Sequence, residues 1–151
     1  MLDLKLGRRS EWSETLIVCA CECERKGKWG NEVKRWSTNA PVKYMFALDK
    51  VFFMQNVYES HCICAVIFMD DNRIHYYYSI GSYGHVYTIG LMIYLKDEGV
   101  AKKGGELPDA DKWNIVGAVD GVPQHQNGFD FGVFACMFAD FIYRDRHLSF
   151  R

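Results

Sequence analysis

The segment that most constrains the fold is a continuous apolar run, Ile63 to Met69, with the sequence ICAVIFM. Such a run is typical of a central strand that is covered on both faces. The residues Asp70 to Asn72 follow it as a tight turn and lead into an aromatic-rich segment, Arg73 to Ile80. The sequence therefore predicts a hairpin at the centre of a β-sheet.

Other segments predict the elements around this hairpin. Strands are expected at Leu16–Cys21, Val51–Val57 and Trp113–Val119, and helices at Val86–Glu98 and Gly132–Tyr143. In the first helix the expected buried residues are Val86, Ile89 and Ile93, with Met92 beside them, and Gly99 is the expected stop. The second helix is apolar on nearly every side, which predicts that it lies inside the molecule. Strands, helix, strand and buried helix together predict an α+β fold.

The length and composition fit one packed domain. The chain has 151 residues, of which 49% are hydrophobic and 25% are charged, and these values are typical of a globular protein. A net charge of −1 argues against a general binder of nucleic acid or anionic membranes, because such proteins normally carry a basic excess. The sequence shows neither the apolar core of a signal peptide nor a run long enough to cross a bilayer, so we expect an intracellular protein without a membrane span.

The cysteines are expected to be free thiols, because an intracellular protein rarely forms disulfides. Three of them alternate along the chain and share one face if that segment is a strand. Their spacing differs from that of zinc sites, and a second ligand pair is missing. The sequence therefore predicts small buried side chains there, with no metal and no cofactor. The six are Cys19, Cys21, Cys23, Cys62, Cys64 and Cys136.

The loop that enters the second predicted helix carries the strongest functional signal. It runs from Val122 to Phe134 with the sequence VPQHQNGFDFGVF, and Asp130 is placed to cap the helix. The first turn of a buried helix presents unpaired backbone N–H groups and the positive end of the helix dipole, which favour a thiolate or an oxyanion. Cysteine proteases place their nucleophile at such a position.

The segment Gly121 to Ile142 resembles the active-site signature PQQxNGxDCGVF of the ubiquitin-like-protein-specific cysteine proteases, the Ulp/SENP or sentrin/SUMO-specific family. Further blocks resemble the family's in the same order: Val33–Trp36 (family VRRW), Asp49–Phe52 (DKIF), His61–Ile67 (HWxLAVI) and Ile74–Gly81 (IxYYDSLG). The resemblance covers about residues 31 to 145. It predicts a poorly matched segment at residues 1–30 and a single protease-like domain at residues 31–151.

The resemblance implies a papain-like fold in which His, Asp, Gln and Cys act together. His61 matches the catalytic His, whereas Tyr78 stands at the Asp position and His125 at the position of the oxyanion-binding Gln. Phe131 stands at the position of the nucleophilic Cys. Because phenylalanine has no nucleophilic atom and the residues of a triad act as a unit, we expect the family reaction to be lost.

The same resemblance predicts substrate contacts at Cys62, Gln124 and Gly128, with Cys62 at the position of the Trp that packs over the substrate's diglycine. Cys62 should point away from its neighbour His61, because adjacent side chains on a strand face opposite ways. Cys136 lies five residues after the nucleophile position, more than a helical turn deeper and about 140° around the axis. Neither thiol is expected to replace the nucleophile.

Three hypotheses remain open from the sequence. The chain is a pseudoprotease or binding module whose partner is SUMO or another ubiquitin-like protein, located in the nucleus or cytoplasm. Alternatively, it is an altered copy of an active SUMO peptidase, because each replaced site residue lies a single base change from the family residue. In the third hypothesis, the fold serves only as a structural subunit of a larger protein assembly.

Overall fold

The structure is a computed structural model that describes residues 15–20, 45–57, 61–80, 85–117 and 119–150. Within these ranges it contains a five-stranded sheet and two α-helices, and short 3₁₀ turns lie at Met45–Ala47 and Ala110–Lys112. The strands are β1 (Thr15–Ala20), β2 (Lys50–Val57), β3 (His61–Phe68), β4 (Arg73–Tyr77) and β5 (Asn114–Val116), and the helices are α1 (His85–Lys103) and α2 (Phe131–Tyr143).

The five strands lie side by side in chain order. The central strand β3 pairs antiparallel with β2 and with β4, whereas β1 joins β2 and β5 joins β4 in parallel. In the turn between β3 and β4, Asn72 adopts a positive φ of 48°, a conformation that asparagine tolerates better than most residues. The predicted central hairpin is therefore confirmed.

Alternate residues of the central strands pack on opposite faces of the sheet, so the fold has three layers. The α1-side core joins one face of the sheet to α1 and contains Val51, Phe53, Ile63, Ile67, Leu91 and Leu95. The α2-side core joins the other face to α2 and contains Phe52, Val66, Phe134, Phe138 and Ile142. This arrangement confirms the predicted α+β class, and it brings the first turn of α2 to one end of β3.

Helix α1 differs from its prediction in length and in orientation. It continues through Gly99 to Lys103. Its buried face carries Leu91 and Leu95, whereas Ile89 and Ile93 are 51% and 54% exposed. The helix has apolar side chains on more than one face, so periodicity alone did not decide which face packs on the sheet. The prediction that Ile89 and Ile93 form the buried face is wrong.

Helix α2 is apolar on nearly every side, but the prediction that it lies inside the molecule is wrong, because one of its faces is exposed. Phe134 and Phe138 are buried against the sheet, whereas Val133 and Tyr143 are about half exposed and Cys136 is exposed. A lysine from β2 holds the far end of the helix, because Lys50 Nζ donates to the Ile142 carbonyl oxygen at 3.0 Å and also to the Asp145 carboxylate. The Lys50 side chain is almost fully buried, so it fixes α2 to the sheet.

Some expected features lie outside the described residues, or outside the described side chains. They are the Val33–Trp36 block, the Gly81–Gly84 loop, Cys21, Cys23 and the side chains of Cys19 and Val86. The predicted strands at Arg73–Ile80 and Trp113–Val119 are shorter than expected, as β4 and β5 show. In the part of the chain that the structure describes, neither helix combines the length and apolar character needed to cross a membrane.

Candidate active site

Four side chains predicted for the site come from four separate segments and meet at one end of the sheet. His61 is the first residue of β3, and Tyr78 follows the last residue of β4. His125 lies in the loop that leads into α2, and Phe131 is the first residue of that helix. The rings of His61 and Tyr78 lie 6.3 Å apart between centroids, and His61 also contacts Phe131. The fold thus assembles residues that are up to 70 positions apart in the sequence.

Phe131 occupies the space between the two histidines. Its ring centroid lies 4.3 Å from that of His61 and 4.4 Å from that of His125, with interplanar angles of 75° and 87°. These edge-to-face contacts are a favourable geometry for aromatic rings. Phe131 is only 7% exposed, so an apolar side chain fills the position at the start of α2.

The two histidines make few polar contacts within the described residues. His125 is 8% exposed, and neither of its ring nitrogens has a hydrogen-bond partner there. His61 Nδ1 is also buried without a partner. Tyr78, which stands at the family's Asp position, therefore donates no hydrogen bond to this atom. Buried polar atoms usually have partners, and each exception needs an explanation.

The loop before α2 is attached to the end of β4 by hydrogen bonds. The backbone N–H of His125 donates to the Ser79 carbonyl oxygen at 3.3 Å. Gln124 Nε2 donates to the Tyr78 and Val122 carbonyl oxygens, each at 3.2 Å. Gln124 is exposed, but its amide donors are engaged with the loop. This residue therefore holds the loop in place, in addition to lying at a predicted substrate-contacting position.

A tight turn stabilised by Asn127 precedes α2. The Asn127 Oδ1 accepts the backbone N–H groups of Phe129 and Asp130 at 3.1 and 3.0 Å, and Asn127 Nδ2 donates to the Asp130 carboxylate. Asp130 occupies the N-cap position as predicted, but its side chain makes no capping hydrogen bond. Gly128 lies exposed in the same turn with open space beside its Cα. A bulky group can therefore approach the backbone at Gly128.

The described cysteines lie away from the start of α2. Cys62 packs partly buried against the α2-side core, whereas the next residue, Ile63, lies in the α1-side core. Cys64 is fully buried, and burial, followed by the charge of Cys136, raises the pKa of its thiol well above the usual range. Cys136 is exposed on α2, while Phe131 on the same helix is buried. Cys64 and Cys136 are free thiols.

A cavity of about 590 Å³ lies against the loop before α2. It is lined on one side by polar loop residues and on the other by aromatic rings, and its lining includes Pro123, His125, Gln126, Asn127, Phe134 and Phe150. His61, Tyr78 and Phe131 do not line it. The cavity is therefore separate from the contact between His61 and Phe131. His125 connects the two, because it lines the cavity and its ring also contacts Phe131.

The arrangement defines a class of protein. A mixed sheet lies between two helices, and the first turn of one helix meets a histidine from the central strand, as in papain-like cysteine peptidases. Across the described residues, no cluster of three or more His, Cys, Asp or Glu side chains is placed to hold a metal ion.

Comparison with known proteins identifies the family. The model of the Ulp1 protease family, C-terminal catalytic domain, matches residues 16–151. This chain therefore belongs to the Ulp1 protease family, as the sequence resemblance predicted.

Individual relatives agree with this assignment. The chain is 29% identical over 118 residues to the ubiquitin-like-specific protease ESD4 of Arabidopsis thaliana, covering 78% of this chain and 24% of that protein. It is 32% identical over 112 residues to a sentrin-specific protease of Caenorhabditis elegans, covering 74% of this chain and 15% of that protein. The chain thus spans less than a quarter of the length of either relative.

Solved structures show the same fold. The C-terminal Ulp1 protease domain in complex with Smt3, the yeast ortholog of SUMO, aligns with a TM-score of 0.68 at 22% identity, over 89% of this chain and 60% of that one. A de-sumoylating protease aligns with a TM-score of 0.71 at 16% identity, over 89% of this chain and 53% of that one. The likeness shows that the papain-like fold is shared.

Two buried residues near the site were not predicted from the sequence. Phe134 packs against His125 with ring centroids 5.3 Å apart, and the helical spacing from Phe131 was the available signal for that contact. Gln55 lies buried on β2, and neither of its amide atoms has a hydrogen-bond partner in the described part of the chain. In the strand segment VFFMQNV, Gln55 falls on the same face as Val51 and Phe53 because side chains alternate along a strand, and a polar residue on an apolar face was a signal that could have drawn attention to it.

Proposed function

We propose that this chain binds a ubiquitin-like modifier, SUMO or a relative of it, beside His61 without cleaving it. The observation that carries the proposal is the buried ring of Phe131, packed edge-on between His61 and His125 at the first residue of α2. The helix dipole favours a thiolate at this position, and phenylalanine supplies neither a thiol nor any other group that attacks a carbonyl carbon.

The three cysteines whose side chains the structure describes do not offer a substitute nucleophile. Cys64 is fully buried with a raised pKa, and only the deprotonated thiolate is nucleophilic. Cys136 lies more than a turn into α2, on its exposed face. Cys62 packs toward the α2-side core. The loss of the nucleophile therefore removes most of the family's rate enhancement.

The loop that contacts the substrate in the proposed role is held in place independently of the replaced residues. Asn127 and Gln124 fix it through hydrogen bonds to backbone groups, and the space beside Gly128 leaves its backbone accessible. Binding needs this preformed surface, whereas cleavage also needs the reacting groups. A chain that keeps the binding surface and lacks the reacting groups is expected to bind the modifier without cleaving it.

The choice of partner follows from the family. Its members carry names that specify ubiquitin-like or sentrin substrates, and one solved relative holds Smt3. We extend this specificity to the present chain, with residues 31–151 acting as one binding domain in the nucleus or cytoplasm. Cys62 takes the place of a bulky aromatic residue in the family pattern, so we expect weaker packing against the diglycine tail than in an active protease.

A binding titration and a cleavage assay on the same purified chain test the proposal. The chain is titrated against SUMO and against several other ubiquitin-like proteins, and each is also presented as a C-terminal fusion to a reporter. We expect saturable binding to at least one modifier and no release of the reporter. Reporter release by the unmodified chain would show an active peptidase, and failure to bind every modifier would favour a purely structural subunit.

A Gly128→Trp variant tests whether the modifier binds at the loop, and Gly105→Trp is its matched control. The indole would fill the open space beside the loop backbone. If the modifier binds there, affinity should fall by tenfold or more, which corresponds to about 1.4 kcal/mol. A Gly105→Trp variant, at another exposed glycine with open space, should leave the affinity unchanged. Equal affinity of both variants contradicts binding at the loop.

A further inference from the structure

Gln55 is a buried polar residue that the family resemblance assigns no role. It lies on β2, is 4% exposed, and neither its amide oxygen nor its amide nitrogen has a hydrogen-bond partner among the described residues. A buried amide without partners is strongly unfavourable. The same holds for Nδ1 of His61, which is also buried without a partner.

The strand register places these two side chains on the same face of the sheet. Val57 pairs with His61 and Gln55 pairs with Ile63 in the antiparallel ladder between β2 and β3. Gln55 and His61 are therefore diagonal cross-strand neighbours, a relation in which Cβ atoms lie about 7 Å apart and long side chains reach each other. The glutamine amide and His61 Nδ1 both lack partners among the described residues, so a hydrogen bond between them requires rotation of the flexible glutamine side chain.

The hydrogen-bonding capacities of the two groups are complementary. A neutral imidazole that carries its proton on Nδ1 donates one hydrogen bond there, and a glutamine amide oxygen accepts it. In the family pattern a carboxylate has this function, and Tyr78 stands at the corresponding position here. A neutral amide accepts the Nδ1 proton without adding negative charge to the site.

We propose that Gln55 is a positioning residue for His61: its side-chain oxygen accepts a hydrogen bond from Nδ1–H and fixes the imidazole as the neutral Nδ1–H tautomer. Nε2 is then left as the hydrogen-bond acceptor of the ring. If the proposed function holds, Nε2 accepts a hydrogen bond from a backbone N–H of the bound modifier tail. Gln55 thereby holds the tautomer that a catalytic base has, but Phe131 offers Nε2 no thiol proton to remove.

Imidazole NMR on the 151-residue chain without a modifier tests the positioning role directly. Two-bond ¹H–¹⁵N correlation spectra report which ring nitrogen of each histidine carries the proton, and the His61 signals are assigned by their loss in a His61→Gln variant. At a pH where His61 is neutral, we expect the proton on Nδ1. A proton on Nε2 in the unmodified chain overturns the proposal.

Two substitutions at position 55 add a quantitative test. Gln55→Glu places a carboxylate beside Nδ1, so it should raise the His61 pKa by about one unit or more. Gln55→Leu removes the acceptor, so the preference for the Nδ1–H tautomer should be lost. The matched control is Asn56→Asp, which adds the same charge at the next, exposed position on the other face of β2.

The outcomes separate the positioning role from the binding role. A rise in the His61 pKa in Gln55→Glu that is no larger than in Asn56→Asp, or an unchanged tautomer in Gln55→Leu, contradicts the inference. Both measurements are made without a modifier present. A chain that binds no modifier but shows the expected tautomer therefore refutes the proposed function and leaves the positioning role intact.

Discussion

Restoring the family nucleophile by Phe131→Cys should destabilise the protein, because Phe131 is a packed residue and not an empty site. The ring is 7% exposed and contacts both His61 and His125. Truncation of a buried phenylalanine to alanine costs about 3–5 kcal/mol. Cysteine retains one more heavy atom than alanine, and the site lies at a helix end where water can enter, so we expect about 3 kcal/mol.

Urea denaturation followed by circular dichroism measures this change. For a slope of about 2 kcal/mol per molar urea, a loss of about 3 kcal/mol lowers the unfolding midpoint by about 1.5 M. The matched control is Phe129→Cys, two residues earlier, where the ring is 80% exposed. Its free energy of unfolding should change by less than about 0.5 kcal/mol.

The free energies of unfolding of the two variants test whether Phe131 is a packed residue. If Phe131→Cys costs no more than Phe129→Cys, the ring of Phe131 does not fill the space between the histidines. The start of α2 would then be an open position, as in an active peptidase. A large and selective loss indicates that the aromatic cluster contributes to folding, which explains why the nucleophile alone cannot be restored without a cost in stability.

Three further predictions concern the rest of the fold. Burial, and then a neighbouring arginine, lower the pKa of His75 below its ordinary 6.5. As the pH falls through 6.5, the unfolded chain therefore binds more protons than the folded chain, and the free energy of unfolding decreases. A His75→Asn variant should lose this part of the pH dependence when unfolding by urea is measured at several pH values. Lys50→Met removes the hydrogen bond from a buried ammonium group to the Ile142 carbonyl oxygen at the end of α2, together with the ion pair to Asp145, and should cost about 1–3 kcal/mol, whereas Lys112→Met, on an exposed ion pair, should leave the free energy of unfolding nearly unchanged. Ile93→Ala should be nearly neutral, whereas Leu95→Ala, two positions later and fully buried, should cost about 2–5 kcal/mol; equal effects within either pair contradict the burial described.

The central hairpin was predictable because its signals are local. The apolar run of β3, the turn and the aromatic-rich segment are adjacent in the sequence, and each indicates the same structure. The orientation of α1 was not predictable in this way. Both the stripe with Ile89 and Ile93 and the stripe with Leu91 and Leu95 have helical spacing, and only packing on the sheet selects between them.

In the candidate site, too, some residues were predictable from the sequence and others depended on non-local packing. The sequence resemblance selected His61, Tyr78, His125 and Phe131, and the structure brings these residues together. Gln55 was not found, because its relation to His61 depends on the register between β2 and β3. That register joins residues across two strands and is set by non-local pairing, which no single segment of the sequence encodes.

The most direct test of the central claim compares cleavage by the unmodified chain and by the Phe131→Cys/His125→Gln/Tyr78→Asp variant. Each protein is incubated with a SUMO-fusion reporter, and the products are measured by mass spectrometry. We expect no cleavage after the diglycine by the unmodified chain and detectable cleavage by the folded triple variant. Cleavage by the unmodified chain would contradict the claim that Phe131, in place of the nucleophilic cysteine, abolishes proteolysis.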